Sequence, residues 1–126
     1  MARRGDRLRA LARGRQAEDL AVQQVQRAGL QVLARNARFK GGELDLVALD
    51  GEQLVIIEVR ARAVGRFGTA ADSITPTKQA RLVRATQAWL QQQRCHQHRS
   101  IRFDVLAFDG DAPPQWIRHA FDVGGG

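Results

Sequence analysis

Apolar and polar positions follow two different spacings along the chain, and together they predict two helices and five strands. A helical spacing of apolar residues predicts a first helix at about residues 16–28, which Gly29 ends. A second helix begins at Thr75-Pro76, an N-cap residue followed by a first-turn proline. Alternating or short apolar runs between turn residues predict strands at 30–34, 43–49, 53–61, 101–108 and 116–119.

The predicted order αβββαββ implies an α/β domain in which helices flank a mixed β-sheet. A chain of 126 residues suits one domain, which we expect at residues 16–121. Residues 1–15 form a basic N-terminal arm that is either disordered or an extension of the first helix, and residues 122–126 are expected to be a disordered tail.

Three carboxylates lie inside the predicted strands. Glu43, Asp45 and Glu58 occur in the segment GELDLVALDGEQLVIIEVRAR, where most of the neighbouring side chains are apolar. Burying an unpaired carboxylate is costly, so Glu58 in particular needs a cation or a metal ion to compensate its charge.

The turn between the second and third strands decides whether these side chains meet. A two-residue loop at residues 51–52 sets Asp45 opposite Glu58. The same loop sets Glu43 opposite Arg60, whereas sliding the loop back by one residue pairs Glu43 with Glu58. Both registers bring at least two carboxylates and one arginine to a single face of the sheet.

Carboxylates this close repel each other, and the repulsion raises at least one pKa unless a cation balances it. Hard oxygen ligands favour Mg²⁺ or Mn²⁺, and these ions take one or two carboxylates together with waters and substrate phosphate oxygens. The cluster therefore predicts metal-assisted phosphodiester hydrolysis. The alternative is a solvated ion pair on an edge strand, formed by Glu58 and Arg60 with Glu43.

The arrangement resembles the nuclease core of the restriction-endonuclease-like superfamily. An aspartate, a hairpin and an E-x-K motif follow one another there, with Asp45, Glu58 and Arg60 in the corresponding places. More closely, residues 14–121 resemble the YraN family of small uncharacterised bacterial proteins, through ARN, GELDLVALD, LVIIEVRAR, FG, a helix opening near Lys78, RFDV and HAF. That family is in turn similar to archaeal Holliday-junction resolvases.

The resemblance implies a site. Asp45 and Glu58 would be a pair that binds Mg²⁺ or Mn²⁺, with Glu18 on the first helix as a further acidic ligand and Glu43 as an additional acidic residue. The alternative for Glu18 is structural, because a carboxylate near the start of the predicted helix favours the helix dipole. Asp104 in the RFDV motif stays outside the catalytic set, since an ion pair with a neighbouring arginine explains it.

Arg60 departs from the pattern, because it stands where E-x-K has a lysine. Arginine holds a phosphate oxygen well, but a pKa above about 12 makes it a poor proton acceptor. We therefore expect Arg60 to clamp the scissile phosphate. Lys78 and Lys40 are the other candidates to supply an amine, and we rank both below Arg60.

The charge balance favours a polyanionic partner. The chain has 20 lysine and arginine residues against 13 acidic residues, a formal net charge of +7, and only Lys40 and Lys78 are lysine. Arginine forks grip phosphates, although the codon usage of a GC-rich genome explains the arginine content equally well. The predicted nucleic-acid contacts are Arg62, Arg66, Lys78 and Lys40, with surface solvation as the alternative for each.

One cysteine, Cys95, excludes an internal disulfide framework, and no apolar run has the length of a signal peptide or a membrane span. We therefore expect a cytoplasmic protein without a membrane partner.

The leading hypothesis is a metal-dependent endonuclease that acts on DNA, with branched DNA as one candidate substrate. The first alternative is a catalytically weak or inactive nucleic-acid-binding protein on a nuclease-like fold, because Arg60 replaces the expected lysine. A protein-interaction scaffold is the third. Resolvase-like proteins cut two strands symmetrically, so a homodimer is implied by analogy.

Overall fold

The computed structural model describes residues 4–62, 74–109 and 113–122, with residues 4–14 and 62 described as backbone. The predicted α/β class and element order are confirmed. The elements are α1 (Arg4–Arg27), β1 (Gln31–Phe39), β2 (Gly42–Asp50), β3 (Gln53–Arg62), α2 (Pro76–Gln92), β4 (Ile101–Asp109) and β5 (Gln115–Ile117), with a short 3₁₀ turn at Arg94–His96.

The five strands form one mixed sheet in the order β1-β2-β3-β4-β5. β3 and β4 are parallel, and the other neighbouring pairs are antiparallel. α2 lies in the connection between the two parallel strands. β3 is the central strand of the sheet, with β2 on one side and β4 on the other. The strand that carries Glu58 is therefore supported on both edges.

Each face of the sheet carries its own hydrophobic cluster. On one face, Leu54 and Ile56 of β3 pack with α2 residues such as Trp89. On the other face, the alternate β3 residues Val55 and Ile57 pack with α1. The two helices thus cover opposite faces, and Glu58, which follows Ile56 at a spacing of two, lies on the α2 side.

α1 begins earlier than the apolar pattern predicts, since its backbone is helical from Arg4 onwards. It ends as predicted at Gly29, whose φ of 91° and N–H bond to the Gln26 carbonyl (3.0 Å) close the helix. Glu18 is consequently far from the first turn, where the dipole acts, and the structural alternative for this residue is wrong. No helix in the described segments is long and apolar enough to cross a membrane.

α2 begins where the sequence predicts it. Thr75 is the N-cap, and its Oγ1 accepts the Lys78 N–H at 3.3 Å. The helix crosses the start of β2 closely, because a Cβ atom at Gly42 would lie 3.0 Å from the Arg81 carbonyl oxygen. Glycine at this position lets α2 approach the sheet.

β1 is longer than the predicted strand at 30–34. It continues to Phe39, and only Lys40 and Gly41 form the turn before β2. β1 is an edge strand, and in its second half exposed polar residues alternate with Ala37 and Phe39, which pack against the core.

Candidate functional site

The β2–β3 hairpin turns at Gly51 and Glu52. Its ladder runs from Asp50↔Gln53 to Leu46↔Ile57. Gly51 has a φ of 60°, the left-handed conformation that a tight hairpin turn requires. The register predicted from a loop at residues 51–52 is confirmed.

β2 leaves β3 beyond Leu46. The Val59 N–H donates to Asp45 Oδ2 at 2.9 Å. In a continuing ladder a backbone carbonyl of β2 would accept this hydrogen bond, and here the Asp45 side chain accepts it instead. Leu44 packs with Val47 in the α2-side cluster, although strict alternation would put these residues on opposite faces. The Asp45 carboxylate therefore lies where the two strands separate, beside Glu58.

Glu43 does not lie opposite Arg60, and that prediction is wrong. Glu43 pairs with Arg38 across β1 and β2, and Arg38 Nε lies 3.7 Å from Glu43 Oε1. The reason is the break at Asp45, because the predicted pairing required the ladder to continue. The Glu43 charge still raises the pKa of Asp45, so Glu43 adds negative potential to the site from its edge.

Asp45 and Glu58 form a half-buried carboxylate pair. Burial is the main reason that the pKa of Asp45 is raised and that the pKa of Glu58 is raised to about 7. The Asp45 charge and a hydrogen bond between the two side chains raise the pKa of Glu58 further. The Val59 N–H acts in the opposite direction on the pKa of Asp45. The pair therefore keeps a proton to higher pH than an ordinary carboxylate does.

Two cations flank Glu58. Arg60 Nε lies 3.6 Å from Glu58 Oε1, and this nitrogen is buried without a hydrogen-bond partner among the described residues. The charge of Arg60, and to a smaller extent that of Lys78 in the first turn of α2, lowers the pKa of Glu58. Lys40 is exposed at the β1–β2 turn. The fold thus brings Arg60 and Lys78 to the pair.

Glu18 reaches the edge of the site from α1. Asn36 Nδ2 donates to Glu18 Oε2 at 3.2 Å, and Arg35 Nη2 lies 3.9 Å from the same oxygen. The Glu18 charge contributes to the raised pKa of Asp45. Asn36 has a φ of 54°, which asparagine tolerates better than most residues. Sequence reasoning quoted the ARN motif but missed that Asn36 contacts Glu18 and that Arg35 donates to Asp19 at 2.9 Å.

The donor atoms fit a small divalent cation. Within residues 4–62, 74–109 and 113–122, no three His, Cys, Asp or Glu side chains group closely enough to hold a metal ion. The donors that meet are the carboxylates of Asp45 and Glu58, and one or two carboxylates suffice for Mg²⁺ when water and phosphate complete the coordination. Glu18 as a third ligand stays a prediction. The Arg62 side chain and Arg66 lie outside the described residues.

Asp104 is a second buried acid with a different environment. Arg102 donates to both of its oxygens, at 2.9 and 3.1 Å. Trp116 Nε1 and the His119 N–H each donate to it at 2.9 Å. These contacts join β4, β5 and the segment that follows β5, and they confirm that an ion pair explains Asp104.

Sequence comparisons show that this chain is similar to a group of proteins of one family. The family model described as Uncharacterised protein family UPF0102 matches residues 17–108, which include Glu18, Asp45, Glu58 and Lys78. A UPF0102 protein of Bordetella avium is 50% identical over 111 residues, covering 88% of this chain and 75% of that protein. A UPF0102 protein of Alkalilimnicola ehrlichii is 46% identical over 115 residues, covering 91% and 90%.

Proposed function

This chain belongs to the uncharacterised protein family UPF0102, and we propose that it is a metal-dependent endonuclease that hydrolyses phosphodiester bonds in DNA. The small, uncharacterised bacterial family expected from the motifs is the family found. The activity is our proposal, and branched DNA is its first candidate substrate.

The observation that carries the proposal is the carboxylate pair at the break between β2 and β3. Asp45 and Glu58 are held together although burial and their like charges raise the pKa of both. A second negative charge at such a pair is disfavoured unless positive charge enters the site. A divalent cation supplies that charge, and the pair offers the oxygen ligands that Mg²⁺ or Mn²⁺ prefers.

When bound, the cation would offset charge on the phosphate and make the attacking water more acidic. The protein residues would then orient the substrate. The Arg60 side chain is 25% exposed beside Glu58, and its guanidinium would donate to a phosphate oxygen there. Lys78 adds a second positive charge on the α2 side of the same carboxylate. Both cations would stabilise negative charge that develops on the phosphate.

The test uses labelled four-way junction, duplex and single-stranded DNA with Mg²⁺, Mn²⁺ or a chelator. We expect cleavage that requires the metal and that Asp45→Asn and Glu58→Gln abolish. The matched control is Glu52→Gln, the same change on a side chain that is 94% exposed at the far end of the hairpin. If no DNA is cleaved with either metal, the endonuclease proposal is wrong.

A second candidate function is nucleic-acid binding without cleavage. Arg60 favours it, because a guanidinium keeps its proton at physiological pH and cannot accept one from water. This function predicts tight, salt-sensitive binding in the same reactions with no products. Binding would be unchanged by Asp45→Asn and Glu58→Gln.

A further inference from the structure

A row of cations lies along the first half of α2. Lys78, Arg81 and Arg84 are spaced three residues apart, and the helix contains no aspartate or glutamate. Arg81 and Arg84 are exposed, and neither forms an ion pair within the described part of the chain. We call Lys78, Arg81 and Arg84 the α2 basic row.

The row runs from the carboxylate pair to the β1–β2 turn. Lys78 is close enough to Glu58 to lower its pKa. Arg81 packs on Gly42, and Arg84 packs on Gly41, where a Cβ atom would lie 3.5 Å from Arg84 Nε. The turn itself carries the exposed Lys40 next to these glycines.

Helix stability does not explain these cations. Positive charge in the first turn of a helix opposes the helix dipole, and the first turn of α2 has no acidic residue to offset Lys78. Codon usage that favours arginine does not explain the two lysines of the chain. Lys78 belongs to the row, and Lys40 lies at the β1–β2 turn next to it.

We propose that the α2 basic row binds the phosphodiester backbone of a nucleic-acid strand where it leaves the carboxylate pair. From Lys78 to Arg84 the helix axis rises about 9 Å, a length over which one DNA strand carries two to three phosphates, roughly one per cation. Contacts of this kind bind without reading sequence. The identity of the ligand rests on the proposed function, whereas the row itself rests on the position and exposure of its cations.

The test is fluorescence anisotropy of labelled duplex and single-stranded DNA with the full chain in chelator, so that cleavage plays no part. Arg81→Gln combined with Arg84→Gln is expected to weaken binding about tenfold at moderate salt. It should also reduce the slope of log affinity against log salt by about 1.5 to 2. Lys78 stays unchanged, because it lies beside the proposed catalytic pair.

Two variants control for charge and fold. Arg27→Gln removes an exposed arginine from the last turn of α1, on the opposite face of the sheet, and should change affinity less than twofold. Arg81→Lys with Arg84→Lys keeps both charges and should restore most of the binding. Thermal unfolding of each variant verifies that the fold is intact.

If the double glutamine variant binds DNA as tightly as the wild type, or if the wild type binds no DNA in chelator, the α2 basic row is not a nucleic-acid site. Neither result decides the proposed function, because cleavage is measured separately with metal and saturating DNA. Conversely, a chain that binds through the row but never cleaves would keep this inference and remove the endonuclease.

Discussion

Replacing Glu58 by glutamine is expected to stabilise the metal-free protein at pH 8 while it removes the proposed activity. That pH lies above the pKa of Glu58, about 7, so the Glu58 charge forms there although burial and repulsion from Asp45 disfavour it. Glutamine has nearly the same shape as glutamate and no charge. It can still donate a hydrogen bond to Asp45, as protonated Glu58 does.

The size and sign of the effect follow from the pKa of Glu58. Folding raises it from an ordinary 4.5 to about 7, so the folded state binds more protons than the unfolded state between these values. The Glu58 contribution to the free energy of unfolding is therefore fully present below pH 4.5. This contribution is about 3 kcal/mol in total. It falls as pH rises and is lost above pH 7.

The assay is urea unfolding of wild type and Glu58→Gln at pH 5, 6, 7 and 8, in chelator. We expect the two proteins to differ little at pH 5 and the variant to be more stable by about 1–3 kcal/mol at pH 8. Comparing the two proteins cancels most other titrating groups, including His96, whose pKa is lowered mainly by desolvation and whose effect has the opposite sign. Glu52→Gln, at an exposed site, should show a difference that hardly varies with pH.

A difference between wild type and Glu58→Gln that is constant from pH 5 to 8 would refute this reasoning, because Glu58 would then have an ordinary pKa in the folded chain. Greater stability of the wild type at pH 8 would refute it as well. Added Mg²⁺ should stabilise the wild type at pH 8 more than the variant, since the cation binds the ionised pair in the folded state.

Three further predictions concern other residues. Asp104→Asn should lower the free energy of unfolding by about 2–3 kcal/mol in urea titrations, because Arg102 then keeps only Asp50 as a carboxylate partner, and a loss under about 1 kcal/mol would contradict the network. Arg60→Lys restores the E-x-K motif and should raise the single-turnover rate of metal-dependent DNA cleavage about tenfold or more. A slower variant would show that the guanidinium is required. Gly42→Ala should lower stability by about 1–3 kcal/mol, since its Cβ would lie 3.0 Å from the Arg81 carbonyl, and an unchanged melting temperature would contradict it.

Local chemistry made the fold predictable. Thr75 and Pro76 fix the start of α2 through one cap and one backbone angle, and Gly51 fixes the hairpin because a tight turn needs a positive φ. Polar edge positions were harder to interpret. β1 pairs with β2 as far as Phe39, and the α1 backbone is helical from Arg4. In the β1 extension only Ala37 and Phe39 pack against the core, and exposed polar residues separate them, which is a weak apolar signal.

The site was predictable only as far as the hairpin register reaches. The sequence places Asp45 opposite Glu58, but it does not reveal that the Asp45 side chain takes the Val59 N–H and ends the ladder. That break explains why Glu43 lies beside Arg38. The sequence also could not decide whether Lys78 or Lys40 is the amine near Glu58, because that depends on where the fold places the start of α2. In the structure, Lys78 is close enough to Glu58 to lower its pKa.

Charge imbalance, more than burial, distinguishes the Asp45–Glu58 pair from the other buried acid, Asp104. Asp104 is 1% exposed, and side-chain and backbone donors occupy both of its oxygens, so it has no free capacity to bind a ligand. The Asp45–Glu58 pair is less buried yet poorly compensated, since Arg60 stands 3.6 Å away with a nitrogen that has no hydrogen-bond partner among the described residues. Leaving the pair short of positive charge lowers stability above pH 7, and in the proposed function a divalent cation would supply the missing charge.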